Sequence, residues 1–287
     1  MKISTQTHAM SEAFGEEEAI RILAQIGFDA LDYSMFHQDH DTSVVFSDNF
    51  ESYALKLKKI AEDEGIYFNQ AHAPFPSFRH DDDEYNRKII PTIIRSIAFA
   101  GVLGAEQIIV HPVAFQSDKK EKNLELYNFL LPTAKEYKIK IALENMFGRN
   151  PNNGQIIANV CSTGQEFAEY MDALDPEHFV ACLDLGHAGL VGQTAQDMIR
   201  TLGSDRLKSL HVHDNDHVVD WHTLPFTVSD SKSLDWHEIM AALKEINYSG
   251  DFTFEADGFF RHMPKELLIP ACEFLYKTGR YLVGLCQ

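Results

Sequence analysis

Eight short runs of β-branched and aliphatic residues, each followed by a stretch of helical periodicity, constrain this chain more than any other feature. They lie near residues 3–8, 30–35, 67–72, 107–111, 140–144, 179–184, 207–213 and 251–256. Strands that alternate with helices read as repeated βα units on a parallel sheet. Eight such units predict a (β/α)8 TIM barrel, with its site at the C-terminal ends of the strands. The clearest helix is expected over 84–103, where Tyr85, Ile89, Ile93, Ile97 and Ala100 recur at spacings of three and four before a stop at Gly101 to Gly104. Ser162 and Thr163 offer a cap to the next helix, with Glu166 near its positive end. Pro264 suits a first helical position, and Pro270 is expected to kink or restart that last helix. No Pro/Gly/Ser-rich linker or change of composition divides the chain, so residues 1–287 are read as one domain.

Most of these runs deliver a metal-ligand type of residue at their C-terminal end. The densest is Ser209-Leu210-His211-Val212-His213-Asp214-Asn215-Asp216-His217-Val218-Val219-Asp220-Trp221-His222. Side chains alternate along a strand, so Leu210 and Val212 take one face while His211 and His213 share the other. The same parity puts Glu144 with small Ala142, Asp184 with Cys182, and Glu255 with Thr253 toward the barrel axis, and sends Leu143, Leu183 and Phe254 toward the helices. Glu144, Asp184, His211 and Glu255 thus converge on a cavity where unpaired carboxylates carry a large desolvation cost. A cation offsets it. A structural salt-bridge network is the plainer reading, but only Arg149 and Arg261 follow the strands that carry these carboxylates. Three carboxylates and an imidazole suit Mn²⁺, Mg²⁺, Co²⁺ or Zn²⁺ without choosing among them. His72, His111, His187, Asp220 and His222 add donors for further metal or for substrate hydroxyls. The connection from about Asp214 to Ser233 is long for a βα loop and is read as functional.

Charge bounds the partners. With 25 Lys plus Arg against 43 Asp plus Glu, a net −18, the long-range field repels nucleic acid and anionic membranes. No run approaches a membrane span, the first residues lack the apolar core of a signal peptide, and a cytoplasmic protein is expected. Cys161, Cys182, Cys272 and Cys286 are scattered, which fits a reducing compartment and argues against a thiolate zinc site.

The ordered set Glu144, Asp184, His211 and Glu255 resembles the xylose-isomerase-like TIM-barrel superfamily, which includes ketose 3-epimerases, inosose dehydratases, sugar isomerases and endonuclease IV. In the epimerase branch, a Glu, an Asp, a His and a Glu from strands five to eight hold the metal, and His187 resembles a substrate-contacting histidine. All nine of His72, His111, Glu144, Asp184, His187, His211, Asp220, His222 and Glu255 also look like the three-zinc ligand set of endonuclease IV. Two departures stand out. The Pro-Gly-x-Gly turn of many relatives is replaced by Pro225-Phe226-Thr227-Val228-Ser229-Asp230, though Asp235-Trp236 remains, and no arginine just after strand seven matches the one ketose 3-epimerases use.

The resemblance implies a divalent-metal-dependent sugar or polyol isomerase/epimerase. Glu144 and Glu255 would be the proton-transferring pair working through an enediolate, with Asp184 and His211 as ligands only. The alternatives are a dehydratase or lyase on a keto-sugar or inosose, an endonuclease IV-like phosphodiester hydrolase, and a sugar-binding barrel without turnover. A small-molecule partner is expected, with neither nucleic acid nor membrane, and association into a homo-oligomer stays open.

Overall fold

Eight parallel strands form one sheet in the computed structural model, which describes residues 1–36, 41–228 and 233–286. In chain order the strands are β1 (Ile3–Gln6), β2 (Ala30–Ser34), β3 (Tyr67–His72), β4 (Gln107–Ile109), β5 (Lys140–Glu144), β6 (Phe179–Asp184), β7 (Leu207–His211) and β8 (Phe252–Phe254). Each pairs with its sequence neighbour, and β8 pairs with β1 in the register Ile3↔Phe252, Ser4↔Thr253. The remaining gap, between β7 and β8, is spanned by a parallel bridge Val212↔Phe254 and by the Val212 and Glu255 amides, which donate to Thr253 and Val212 carbonyls. The result is a TIM barrel with helices around it. All eight expected strands are present. Several stop short of the expected ends because the chain leaves the hydrogen-bond ladder just before its ligand residues.

The sheet has two different faces. Leu143, Leu183 and Phe254 join the large core between strands and helices. Ile109, Ala142, Val180 and Cys182 form a separate small cluster inside the barrel. The rest of the interior is polar and internally bonded. Ser4 Oγ donates to Asn69 Oδ1 at 2.7 Å, and Asn69 Nδ2 donates to Thr253 Oγ1 at 2.8 Å. Ser209 Oγ donates to Gln70 Oε1 at 2.5 Å, and Gln70 Nε2 donates to Asp32 Oδ2 at 3.1 Å. Small and polar residues leave the barrel axis open toward the strand ends, and the site lies there.

The expected helix appears as Asp83–Leu103, capped by the Asp82 side chain and ended by Gly104 in the left-handed region. Gly101 lies inside it at a close approach, since a Cβ there would meet Tyr137 Cβ at 2.6 Å. Thr163 Oγ1 accepts from the Glu166 amide and Glu166 returns a carboxylate to the Ser162 amide, a reciprocal cap. Two expectations fail at the last helix, Lys265–Gly284. Pro264 is its cap rather than its first residue, and the helix runs through Pro270 without restarting. A proline there removes one amide donor, and burial of Leu268, Ala271, Cys272, Leu275 and Leu282 holds the helix across it. Of the unusual turn after β7, Ser229 and Asp230 lie outside the described residues. Among the described residues, no helix is long and apolar enough to cross a membrane.

Candidate metal centre

All nine residues singled out from the sequence come together at the C-terminal end of the barrel. Glu144, Asp184, His211 and Glu255 are buried, with donor atoms within 4.8 Å of one another. His72, His111 and Glu144 form a second group on the same criterion, and Asp184, His187, His213 and His222 a third. Glu144 belongs to the first two groups and Asp184 to the first and third. Asp220 joins the third, with Oδ2 3.1 Å from His222 Nε2 and 3.5 Å from His187 Nε2.

In the group around His211, donor atoms approach one another without the hydrogen bonds that would explain the approach. His211 Nδ1 is 2.9 Å from Glu255 Oε2 and 3.3 Å from Glu144 Oε1, yet neither ring nitrogen of His211 makes a hydrogen bond. Glu144 Oε2 is 3.0 Å from His111 Nε2 and equally lacks one. His72 stands apart, because its Nε2 lies in hydrogen-bond contact with His111 Nε2. Its Nδ1 gives a proton to the Ala73 carbonyl at 2.8 Å, and burial, with His111 and His211 nearby, pushes its pKa well below the usual value. The ring is therefore neutral, and its Nε2 presents a lone pair 3.0 Å from His111 Nε2. Two imidazole nitrogens and a carboxylate oxygen crowded in this way fit a shared cation.

Backbone carbonyls set the tautomers of the other histidines. His187 Nδ1 donates to the Asn145 carbonyl at 2.9 Å, and His222 Nδ1 to the Glu255 carbonyl at 3.0 Å. Each Nε2 then faces the acidic cluster, as metal-binding imidazoles require. Without metal, burial works against a charge on His187, but Asp184 and Asp220 outweigh it and raise its pKa to about 10. Burial opposes the charge on Glu144 too, while His211 and His111 hold that carboxyl well below the usual range.

Sequence reasoning missed the residues that hold this set in place. Gln6 Nε2 donates to Glu255 Oε1 at 2.6 Å. Asn145 clamps Asp184 by accepting from its amide at 2.7 Å and donating to its carbonyl at 2.9 Å. Asp32 is fully buried 3.9 Å from His211 Nε2, with burial first among the causes that raise its carboxyl to about 7. His213 was placed on the cavity face but left out of the ligand set, and its Nε2 lies 3.0 Å from both oxygens of Asp184. Gly186 exists for this ring, since a Cβ there would come within 2.1 Å of His213 Cε1. Gly258 likewise admits the carbonyl of Trp221, which a Cβ would meet at 1.8 Å.

Above the donors opens a cavity of about 490 Å³. Glu144, His72, His111, His187, Asp220, His222 and Glu255 reach it, whereas Asp184 and His211 do not. Arg261, after β8, stands on its lining, while Arg149 does not.

Residues 20–278 match the family described as xylose isomerase-like TIM barrel. The chain belongs to that family. Within the xylose isomerase-like proteins it is 25% identical over 215 residues to D-psicose 3-epimerase of Enterocloster bolteae, covering 70% of this chain and 65% of that protein. It is also 25% identical over 181 residues to a probable endonuclease 4 of Acholeplasma laidlawii, covering 58% of each. The chain spans less than two thirds of the length of the curated relatives it matches. Among solved structures, a D-psicose 3-epimerase in the presence of D-fructose superimposes with a TM-score of 0.72 at 17% identity, covering 99% of this chain and 100% of that one. The IOLI protein with a bound zinc atom gives 0.70 at 16% identity, covering 99% and 98%. At such identities these two structures carry the fold and no more.

Proposed function

We propose that this protein is a divalent-metal-dependent isomerase or epimerase of a sugar or polyol, with Glu144, Asp184, His211 and Glu255 holding manganese, zinc, cobalt or magnesium. One observation carries the reading: of these four donors, only the two glutamates line the cavity, while Asp184 and His211 lie fully buried beneath it. A cation held there supplies Lewis-acid polarisation to a hydroxy-carbonyl unit. Glu144 or Glu255 takes the acidified C–H proton at a carboxylate oxygen, leaving an enediolate, and the other returns one. Transfer across opposite faces epimerises, and transfer on one face isomerises. Gln6 keeps Glu255 Oε1 in a fixed direction, so a proton carried by Glu255 sits on the oxygen facing His211 and the cavity. The likeness to a D-psicose 3-epimerase supports this reading. A dehydratase or lyase on a keto-sugar or inosose would use the same first step.

Phosphodiester hydrolysis is the second reading, favoured by the two further donor groups around His72 with His111 and around His187 with His222 and by the likeness to probable endonuclease 4. The net charge of −18 weighs against a polyanionic substrate. Turnover of ketoses, aldoses and inositol derivatives in deuterated water tests the first reading, because carboxylates that exchange with solvent wash deuterium into the reacting C–H. Turnover without label removes it. Zinc-dependent incision of abasic-site DNA, with no sugar turned over, puts the second reading in its place.

A further inference from the structure

The wall of the cavity has a chemistry unlike its floor. Phe36, Phe75, Phe78, Met146 and Phe147 line it together with Val113. Phe75 covers the second donor group: its ring centroid is 4.6 Å from that of His111 and 5.5 Å from that of His72. Phe36 meets His72 edge to face at 5.0 Å and Phe75 at 5.6 Å. Across the donors, Phe147 meets His187 edge to face at 5.0 Å. Yet Phe75 keeps 45% of its surface in solvent, a costly position for a phenyl ring.

The polar side chains on this wall are largely spent within the protein. Ser77 Oγ donates to the His111 carbonyl at 2.8 Å, His80 Nε2 lies 3.0 Å from the Ala114 carbonyl, and Asn159 Nδ2 donates to the Phe147 carbonyl at 3.3 Å. A bare sugar chelated on the floor would turn the hydroxyls on this side, away from Asp257 and Arg261, toward phenyl rings and occupied donors, and their desolvation would go uncompensated. A flat apolar group there would instead cover Phe75 and stack on it.

We propose that the Phe36–Phe75–Phe78 wall is a binding subsite for a flat apolar group, so that the substrate is a hydroxy-carbonyl compound bearing an aryl or similarly flat apolar substituent. This rests on the metal reading of the floor. Its test uses two hydroxamates that share one chelating head, acetohydroxamate without a ring and benzohydroxamate with one. Calorimetric titration into the protein loaded with whichever of Mn²⁺, Co²⁺ or Zn²⁺ it retains is expected to give at least about tenfold tighter binding of the benzo compound. Phe75→Ala, at a position open to solvent, is expected to bring the ratio of the two affinities to within about threefold, since the ring loses its main partner. Metal-dependent binding of both with no preference overturns the subsite alone, as does a preference that survives both Phe75→Ala and Phe78→Ala. Binding of both that is absent or indifferent to chelation overturns the metal reading, and the proposal with it.

Discussion

Asp184→Asn, measured with and without metal, tests whether the buried donors hold an ion that the fold depends on. The substitution is nearly isosteric and keeps an oxygen for the His187 amide, which Asp184 Oδ1 accepts at 2.7 Å. It removes the one carboxylate shared between the group around His211 and the group around His222. An ion present at 100 times its Kd stabilises the chain that binds it by about 2.7 kcal/mol. With an unfolding entropy of about 2.1 cal/mol/K per residue over 287 residues, that corresponds to about 4–5 °C in Tm. Changes in outer partners alone weaken metal sites by about 10–100-fold, so losing a ligand should cost at least about 100-fold. At the same metal concentration, the gain in the variant then falls to about 0.4 kcal/mol, under about 1 °C. Scanning calorimetry of metal-loaded and exhaustively chelated samples of both proteins reads the difference directly. The within-protein difference is the relevant quantity, because Asp184 also pairs with His213 and its loss alters the metal-free chain as well. A wild-type Tm indifferent to chelation, or an equal metal shift in the variant, would refute the reasoning.

Glu144→Gln and Glu255→Gln should retain some metal but lose most turnover and solvent-deuterium exchange, and wild-type rates with metal bound would make both residues simple ligands. On the hydrolase reading His111→Ala should lower the bound metal by one ion per chain in elemental analysis while the group around His211 stays filled; on the isomerase or epimerase reading the content should be unchanged. Metal uptake by chelated protein at pH 7 should release protons into an unbuffered solution, because His187, raised to about 10 in the metal-free state, is charged there and must be neutral to bind. Apparent affinity should therefore rise with pH toward about 10, and a flat pH dependence speaks against His187 as a ligand. Asp214→Ala should destabilise the protein by about 3–5 kcal/mol in thermal or urea unfolding, since the buried Asp214 carboxylate accepts from the Phe226 and Leu234 amides, Ser233 Oγ and Trp236 Nε1. A loss under about 1 kcal/mol would mean that solvent reaches those donors.

The barrel was legible because its period is written locally: each strand run and each helical stripe can be recognised within a dozen residues. The cluster of candidate donors was legible for a related reason, since a carboxylate or imidazole at the end of an apolar run breaks a pattern. Its supports were not. Gln6 and Asp32 sit on strands beside Thr5 and Leu31 with nothing local to mark them, and Gln6 meets Glu255 across 249 residues of chain. Asp32 faces inward by the plain alternation of β2, with Leu31 and Tyr33 on the core face, but its pairing, where β3 carries the extra residue Asn69, could not be read locally. His213 was visible as a cavity-side residue, but its partner Asp184 lies on another strand. Strand ends were read too long at β4, β7 and β8 because His111, Val212 and Glu255 continue the side-chain pattern after the regular ladder stops. Pro270 was overweighted because one missing amide donor is a local penalty, while the packing that offsets it is tertiary.

The shared carboxylate of Glu144 links the number of bound ions to the chemistry available. Its Oε1 faces His211 and its Oε2 faces His111, so the first donor group and the second each claim one oxygen. With only the His211 group filled, Oε2 would keep a lone pair with which Glu144 could take a proton from carbon. With the His72–His111 group filled as well, both oxygens of Glu144 would be engaged. Two neighbouring cations would suit displacement at phosphorus or at an ester. Glu255 is engaged at both oxygens too, Oε1 by Gln6 and Oε2 beside His211, and it also shares a donor group with His72. On the proposed metal reading, occupancy of the His72–His111 pair would thus decide whether Glu144 keeps an oxygen for proton transfer.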